Sequence, residues 1–201
     1  MKKNEQKEAA AKRSLEIIAG FFNQIHPLTD DLMRELATHT FPLSVDKGKL
    51  LVKPSEENKF FYFIVKGVVR SFIRQDGKEI TTWVNIENSI VSSIRNLGIN
   101  TWSGEYLQTL EACDLIAIPA DALQRVYDTY PEANFYGRII IEDCYRSSEE
   151  RAYISRIPSA IKRLKHFENT NGFLLNRIPL KYIASYLGIT LETLSRLRAK
   201  K

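Results

Sequence analysis

The C-terminal residues of this 201-residue chain carry side chains whose chemistry suits the edges of nucleobases. Arg196 could donate two hydrogen bonds to a guanine, and Glu192 could accept one from a cytosine amino group. Thr193 and Ser195 could reach bases or phosphates. If the residues after Thr190 form a helix that enters a DNA major groove, the outward positions are Leu191, Glu192, Ser195, Arg196 and Ala199.

Cations that suit backbone phosphates surround this stretch. They are Lys181, Arg198, Lys200 and Lys201. A second interpretation of Arg196 stays open, because Glu192 lies four residues earlier and the two could form an ion pair on a solvated helix surface.

The positive charge of the chain is concentrated in the same region. Residues 157–201 contain nine Lys/Arg and two Asp/Glu, a net charge of +7, whereas the other 156 residues sum to −2. A basic segment on a slightly acidic body is a typical footprint of nucleic-acid binding, and it is equally compatible with a solvated helical surface.

Two short helices are predicted around Gly188. Pro179 suits the first turn of one helix, Gly188 suits its C-terminal cap, and Thr190 is a natural N-cap for the next helix. Their apolar residues would face each other: Ile183, Ala184, Leu187, Leu194 and Leu197. The spacing is that of a helix-turn-helix, with a simple packing hairpin as the alternative.

The residues before position 120 predict helices followed by strands. The first 39 residues have helical character, with Thr29 as a cap. From Thr40, short runs rich in Val, Ile, Phe, Tyr and Thr alternate with turn signals, and Asp76–Gly77 predicts a type I′ hairpin. These features favour an α+β fold with an antiparallel barrel or sandwich over residues 40–119.

Helical periodicity returns after Pro119. A short helix is expected first, then a longer one from about Glu132 to Arg156, which Pro158 would end. The apolar strip of the longer helix could pack on the barrel or pair with a second copy of the chain. A short basic helix is expected next, followed by a loop at residues 169–172.

This order of elements resembles the Crp/Fnr superfamily of bacterial transcription regulators. The motifs that carry the resemblance are FYFIVKGVVRSFIRQDGKEITTWV and IPLKYIASYLGITLETLSRLRAK. It implies a jelly-roll effector domain like a cyclic nucleotide-binding domain over residues 1–130, a dimerisation helix over 131–156 and a helix-turn-helix domain over 157–201. The implied partners are duplex DNA with a palindromic site, a second copy of the chain and, as a candidate, RNA polymerase. The tail looks especially like that of the short members from the Bacteroidetes group.

Two departures from the family pattern matter. Leu191 stands where many members have the first arginine of the recognition helix, so the best-known operator of the family is not expected. Ser103 stands about where cyclic-nucleotide binders have their phosphate-binding arginine, and Gly104–Glu105 comes too late for the ribose-binding pair. Cyclic AMP is therefore not expected as an effector, and no cofactor is predicted; Arg95 is the nearest alternative cation.

Other classes of function have little support in the residues. Residues 40–119 contain no histidine, which disfavours a metal-dependent barrel enzyme, and His26, His39 and His166 are isolated. Cys113 and Cys144 form no metal-binding or disulfide pattern, so a cytoplasmic protein is expected. There is no apolar run of membrane-spanning length, so no membrane partner is expected. With the missing barrel histidines, a non-enzymatic protein is expected. A small-molecule-binding barrel whose tail serves only assembly remains the alternative.

Overall fold

The computed structural model describes residues 2–54, 56–93 and 103–199. The helices within these ranges are α1 Lys2–Ile25, α2 Asp30–His39, α3 Ala120–Thr129, α4 Ala133–Arg156, α5 Ala160–Asn171, α6 Leu180–Tyr186 and α7 Leu191–Ala199. The strands are β1 Phe41–Val45, β2 Leu50–Val52, β3 Phe60–Lys66, β4 Val69–Gln75, β5 Lys78–Asn85, β6 Ile90–Val91, β7 Glu105–Thr109 and β8 Cys113–Pro119.

The eight strands form two four-stranded sheets. Their strand orders are β1-β8-β3-β6 and β2-β7-β4-β5. The central strand β8 pairs antiparallel with β1 on one side, where Leu43 lies opposite Leu115, and with β3 on the other, where Phe63 lies opposite Ile116. The predicted α+β fold with an antiparallel barrel of jelly-roll type is confirmed.

Local signals set several element boundaries. The Thr29 hydroxyl accepts a hydrogen bond from the backbone N–H of Leu32 and caps α2, as predicted. Asp76 and Gly77 join β4 to β5 with φ values of 50° and 73°. Two consecutive positive φ angles are what a type I′ turn requires, and these two residue types tolerate them.

Side chains from both sheets build the apolar core of the barrel. Ile64, Leu107 and Leu115 are buried in one cluster with Cys113. On the other face of β3 and β8, Ile18 of α1 packs with Phe63, Ile116 and Ile118. The alternation of side chains along each strand serves both clusters, because successive residues point to opposite faces.

The chain divides into two compact units. One contains residues 1–71 and 84–140, and the other contains residues 72–83 and 141–201. The second unit therefore includes the turn of the β4–β5 hairpin together with the C-terminal helices. The domain limits at 130 and 156 stay predictions.

The predicted loop at residues 169–172 is wrong, because all four residues are helical. Asn169, Thr170 and Asn171 form the last turn of α5, and a 3-10 helix, Gly172–Asn176, follows directly. The Thr170 hydroxyl donates to the backbone carbonyl of His166, a bond that threonine side chains make within helices. None of the helices in the described ranges combines the length and apolar character that crossing a membrane would need.

Candidate nucleic-acid interface

Helix α6 ends in a Schellman motif at Gly188. The N–H of Gly188 donates to the carbonyl of Ser185 at 3.1 Å, and the N–H of Ile189 donates to that of Ala184 at 3.0 Å. Gly188 has a φ of 63°, in the left-handed region where glycine has no steric penalty. Pro179 lies immediately before the first residue of α6. The predicted end of this helix is thus observed.

Thr190 caps α7 at its N-terminus. Its hydroxyl oxygen accepts a hydrogen bond from the backbone N–H of Thr193 at 3.1 Å. The pKa of the Glu192 carboxyl is lowered below its ordinary value, first by hydrogen bonding to its own backbone N–H and next by the Thr190 hydroxyl. A negative charge in the first turn also favours the helix through its dipole.

The two helices share a small apolar core. Ile183, Ala184 and Leu187 of α6 and Leu194 of α7 are all buried, and Leu197 is half-buried. Four of the five residues predicted to hold the helix pair together are therefore excluded from water. The small side chain of Ala184 at this position lets two helices approach closely.

The opposite face of α7 is open to solvent. Its exposed residues are Leu191, Glu192, Ser195, Arg196 and Ala199. These are the five positions predicted to point outward. Thr193 and Arg198 are half-buried between the two faces.

The basic residues differ in what they contact. Arg196 has no ion-pair or hydrogen-bond partner among the described residues, so the predicted alternative of a pair with Glu192 is not what this structure contains. Lys181 is exposed on α6, with its ammonium 4.9 Å from the centre of the Tyr182 ring. Lys200 and Lys201 lie outside the described residues.

Arg163 of α5 positions the turn between α6 and α7. Its Nη1 atom donates to the carbonyls of Leu187 at 2.8 Å and Gly188 at 3.4 Å. Carbonyls at a helix C-terminus lack partners within the helix and carry partial negative charge, so a guanidinium stabilises them. The sequence offered no signal for this role, because Arg163 lies 24 residues before its acceptor.

The β4–β5 hairpin contacts α6 within the same unit. The Ser185 hydroxyl donates to the carbonyl of Glu79 at 3.0 Å and accepts from the N–H of Thr81 at 2.9 Å. On α4, the Arg151 guanidinium donates to the carbonyl of Thr82 and lies 3.2 Å from the centre of the Trp83 ring. The Trp83 ring is thus a packing partner of a cation.

Buried polar groups of the barrel include Arg70, which the sequence did not single out, and Ser103, which it did. Arg70 is 1% exposed, and its guanidinium donates to Gln108 Oε1 from Nε at 3.0 Å and from Nη2 at 2.8 Å. Ser103, which stands about where the resemblance places a phosphate-binding arginine, is buried with its hydroxyl 3.1 Å from that of Ser93. Arg95 lies outside the described residues.

Two of the three histidines each contact one carboxylate, and the third contacts a backbone carbonyl. His39 lies 3.3 Å from Glu35, His166 contacts Glu150, and His26 points to a backbone carbonyl. Within the described ranges, no group of three or more His, Cys, Asp or Glu side chains is placed to hold a metal ion.

The chain is similar to known proteins in sequence and in fold. Residues 42–130 match the cyclic nucleotide-binding domain family. The chain is 26% identical over 167 residues to the fumarate and nitrate reduction regulatory protein of Yersinia pestis, a match that covers 76% of this chain and 65% of the relative. The chain therefore spans slightly less than two thirds of that relative.

Solved structures share the fold. FixK2 from Bradyrhizobium japonicum aligns with a TM-score of 0.65 at 17% identity, covering 80% of this chain and 83% of FixK2. The c-di-GMP-responsive regulator CLP from Xanthomonas campestris aligns with a TM-score of 0.66 at 15% identity, covering 86% of this chain and 91% of CLP. The fold thus defines the class, a cyclic nucleotide-binding-like barrel followed by a helical C-terminal unit. The family match covers residues 42–130, and the two curated relatives that match 76% of this chain are regulatory proteins.

Proposed function

We propose that the chain is a transcription regulator that binds duplex DNA through the exposed face of α7. The observation that carries the proposal is Arg196, an exposed cation without a partner in the described residues, on the same face as Glu192 and Ser195. An exposed guanidinium without a protein partner can donate two parallel hydrogen bonds to the O6 and N7 atoms of a guanine. The Glu192 carboxylate, ionised at neutral pH, can accept from a cytosine.

The charge distribution supports a nucleic-acid partner. The C-terminal 45 residues carry a net charge of +7, and Lys181 on α6 is exposed close to the start of the helix pair. Such cations contact phosphates and hold the recognition helix in register without reading sequence. The relatives that match this chain along 76% of its length are named as regulatory proteins.

The regulator acts as a homodimer in this proposal. Ile141, Tyr145 and Tyr153 of α4 are exposed, and the first two are one helical turn apart. Exposed apolar residues with this spacing suit a helix that packs against its own copy. Two copies related by a twofold axis would present two α7 helices, which read a palindromic site.

Cyclic AMP is not the effector in this proposal. The Ser103 hydroxyl shares a neutral hydrogen bond with Ser93 and accepts another from the backbone N–H of Glu105, and it supplies no charge for a cyclic phosphate. A phosphate that leaves water needs a cation or several donors as partners.

The proposal is tested by selection of bound sites from random duplexes with the full chain. We expect a palindromic sequence to be enriched, with an affinity that falls steeply as salt rises, because phosphate contacts release counterions. The same site should emerge with and without cyclic AMP. Failure to enrich any sequence would overturn the DNA-binding proposal.

The Arg196→Ala variant tests the role of the guanidinium. It should lose discrimination at one base pair in each half-site by about 1–3 kcal/mol, the value of one bidentate contact. Arg156→Ala is the matched control, since Arg156 is an exposed arginine at the end of α4. It should keep the preference at every position.

A further inference from the structure

Leu191 is a large apolar residue left in solvent at the start of α7. Its side chain is 42% exposed, whereas Leu194 of the same helix is fully buried. The helix pair therefore has its core without Leu191. Exposing a leucine gains nothing for folding, since burial is what makes an apolar side chain stabilising.

The neighbours of Leu191 define which surface it belongs to. Glu192, Ser195 and Arg196 are exposed on the same face of the nine-residue helix. In helix-turn-helix proteins the N-terminal residues of the second helix contact base edges in the major groove. On the proposed function, Leu191 is thus directed at bases rather than at the phosphate backbone.

An aliphatic side chain can recognise only one group on the floor of the major groove. Leucine has no donor or acceptor, and the C5-methyl group of thymine is the apolar group that standard base pairs display there. The occupant of this surface is DNA rather than an apolar protein, because the segment that carries Leu191 has a net charge of +7.

We propose that Leu191 packs against the C5-methyl group of one thymine in each half-site, so that the operator requires an A·T pair at that position. This inference rests on the proposed function and names the base that Leu191 selects. Leu191 is then a specificity-determining residue, with Arg196 reading a second position of the same half-site.

Replacement of thymine by deoxyuridine tests the contact, because deoxyuridine lacks only the methyl group. Each thymine of the selected operator is replaced in turn, and the affinity of the full chain for each modified operator is measured. At one thymine per half-site, we expect a loss of about fourfold, the equivalent of one buried methyl group, and about fifteenfold when both half-sites are changed.

Variants of Leu191 assign the effect to this side chain. Leu191→Ala should bind the thymine and deoxyuridine operators equally well while keeping the base preference due to Arg196. Leu191→Met should keep most of the discrimination, since it retains an apolar side chain of similar volume. Phe173→Ala is the control: Phe173 is 49% exposed in the same unit, and its removal should leave the thymine preference unchanged.

Three outcomes decide between the proposals. The thymine contact is supported if Leu191→Ala loses discrimination between the thymine and deoxyuridine operators while the wild type and Phe173→Ala keep it. Equal affinity of the wild type for both operators, or discrimination that persists in Leu191→Ala, overturns it while the DNA-binding proposal stands. Absence of any selected site overturns the DNA-binding proposal, and the Leu191 contact with it.

Discussion

Thr190 connects the stability of α7 to the charge of its base-reading face. Its hydroxyl oxygen accepts from the N–H of Thr193. The pKa of Glu192 is lowered mainly by the backbone N–H of Glu192 itself and further by the Thr190 hydroxyl. A carboxyl whose pKa is lower in the folded state stabilises that state above its unfolded pKa. The stabilisation is lost as the pH falls through the folded pKa, so Glu192 supports the fold throughout the neutral range.

Replacement of Thr190 by alanine should weaken both effects. We expect the loss of the cap to reduce helix stability by about 1 kcal/mol, because the N–H of Thr193 loses its acceptor. The pKa of Glu192 should rise toward its ordinary value, which a carboxyl-detected NMR titration measures. Thr170→Ala, which removes a hydroxyl from α5, should leave the Glu192 pKa unchanged. An unaltered titration in Thr190→Ala would rule out the hydrogen bond.

At the scale of elements, the turn between α6 and α7 sets the direction of the recognition helix. Gly188 has a φ of 63°, and a Cβ atom there would lie 3.2 Å from Nη1 of Arg163. The same arginine donates to the carbonyl of Leu187. A side chain at position 188 would therefore strain the backbone and crowd the group that holds the turn.

Gly188→Ala should destabilise the helix pair by about 1–2 kcal/mol, the cost of a left-handed conformation for a residue with a Cβ atom. Hydrogen exchange of the α6 and α7 amides measures this loss, together with weaker binding to the selected duplex. Gly172→Ala is the matched control, because Gly172 has a φ of −56° and open space around a Cβ. It should be neutral or stabilising. Equal protection in the two variants would contradict the assigned turn geometry.

At the scale of the whole molecule, dimerisation decides whether one α7 or two can meet the DNA. Ile141 is 68% exposed and Tyr145 is 65% exposed, which is unusual for adjacent apolar positions on one helix face. The proposed α4–α4 dimer interface covers both side chains. Their apolar burial offsets the entropy that is lost when two chains associate.

Ile141→Glu should dissociate the dimer. An unpaired carboxylate at an apolar interface loses its hydration, so we expect the dissociation constant to rise by roughly a hundredfold or more. Sedimentation equilibrium measures it, and binding to the palindromic site should weaken in parallel. Phe173→Glu adds the same charge at another exposed apolar position and should remain dimeric. A wild-type chain that is monomeric at micromolar concentration would contradict the proposed α4–α4 dimer interface.

The sequence by itself determined the features whose causes are local. The caps at Thr29 and Thr190 and the turns at Asp76–Gly77 and Gly188 are observed as predicted. Each depends on hydrogen bonds or φ angles within a few residues, and residue type controls these directly. The outward face of α7 was predictable for the same reason, since the helical period alone assigns its sides.

Only the tertiary structure decided the contacts between distant residues. Arg70 is buried and bonds to Gln108, although arginines are usually exposed. Ser185 bonds to residues more than 100 positions earlier, and Arg163 holds the α6–α7 turn. Residue type does not identify such partners, because an arginine or serine can satisfy its hydrogen bonds in water or in many protein settings. Packing of the chain selects which of these settings exists, and it brought the β4–β5 hairpin to the helix pair that we propose binds DNA.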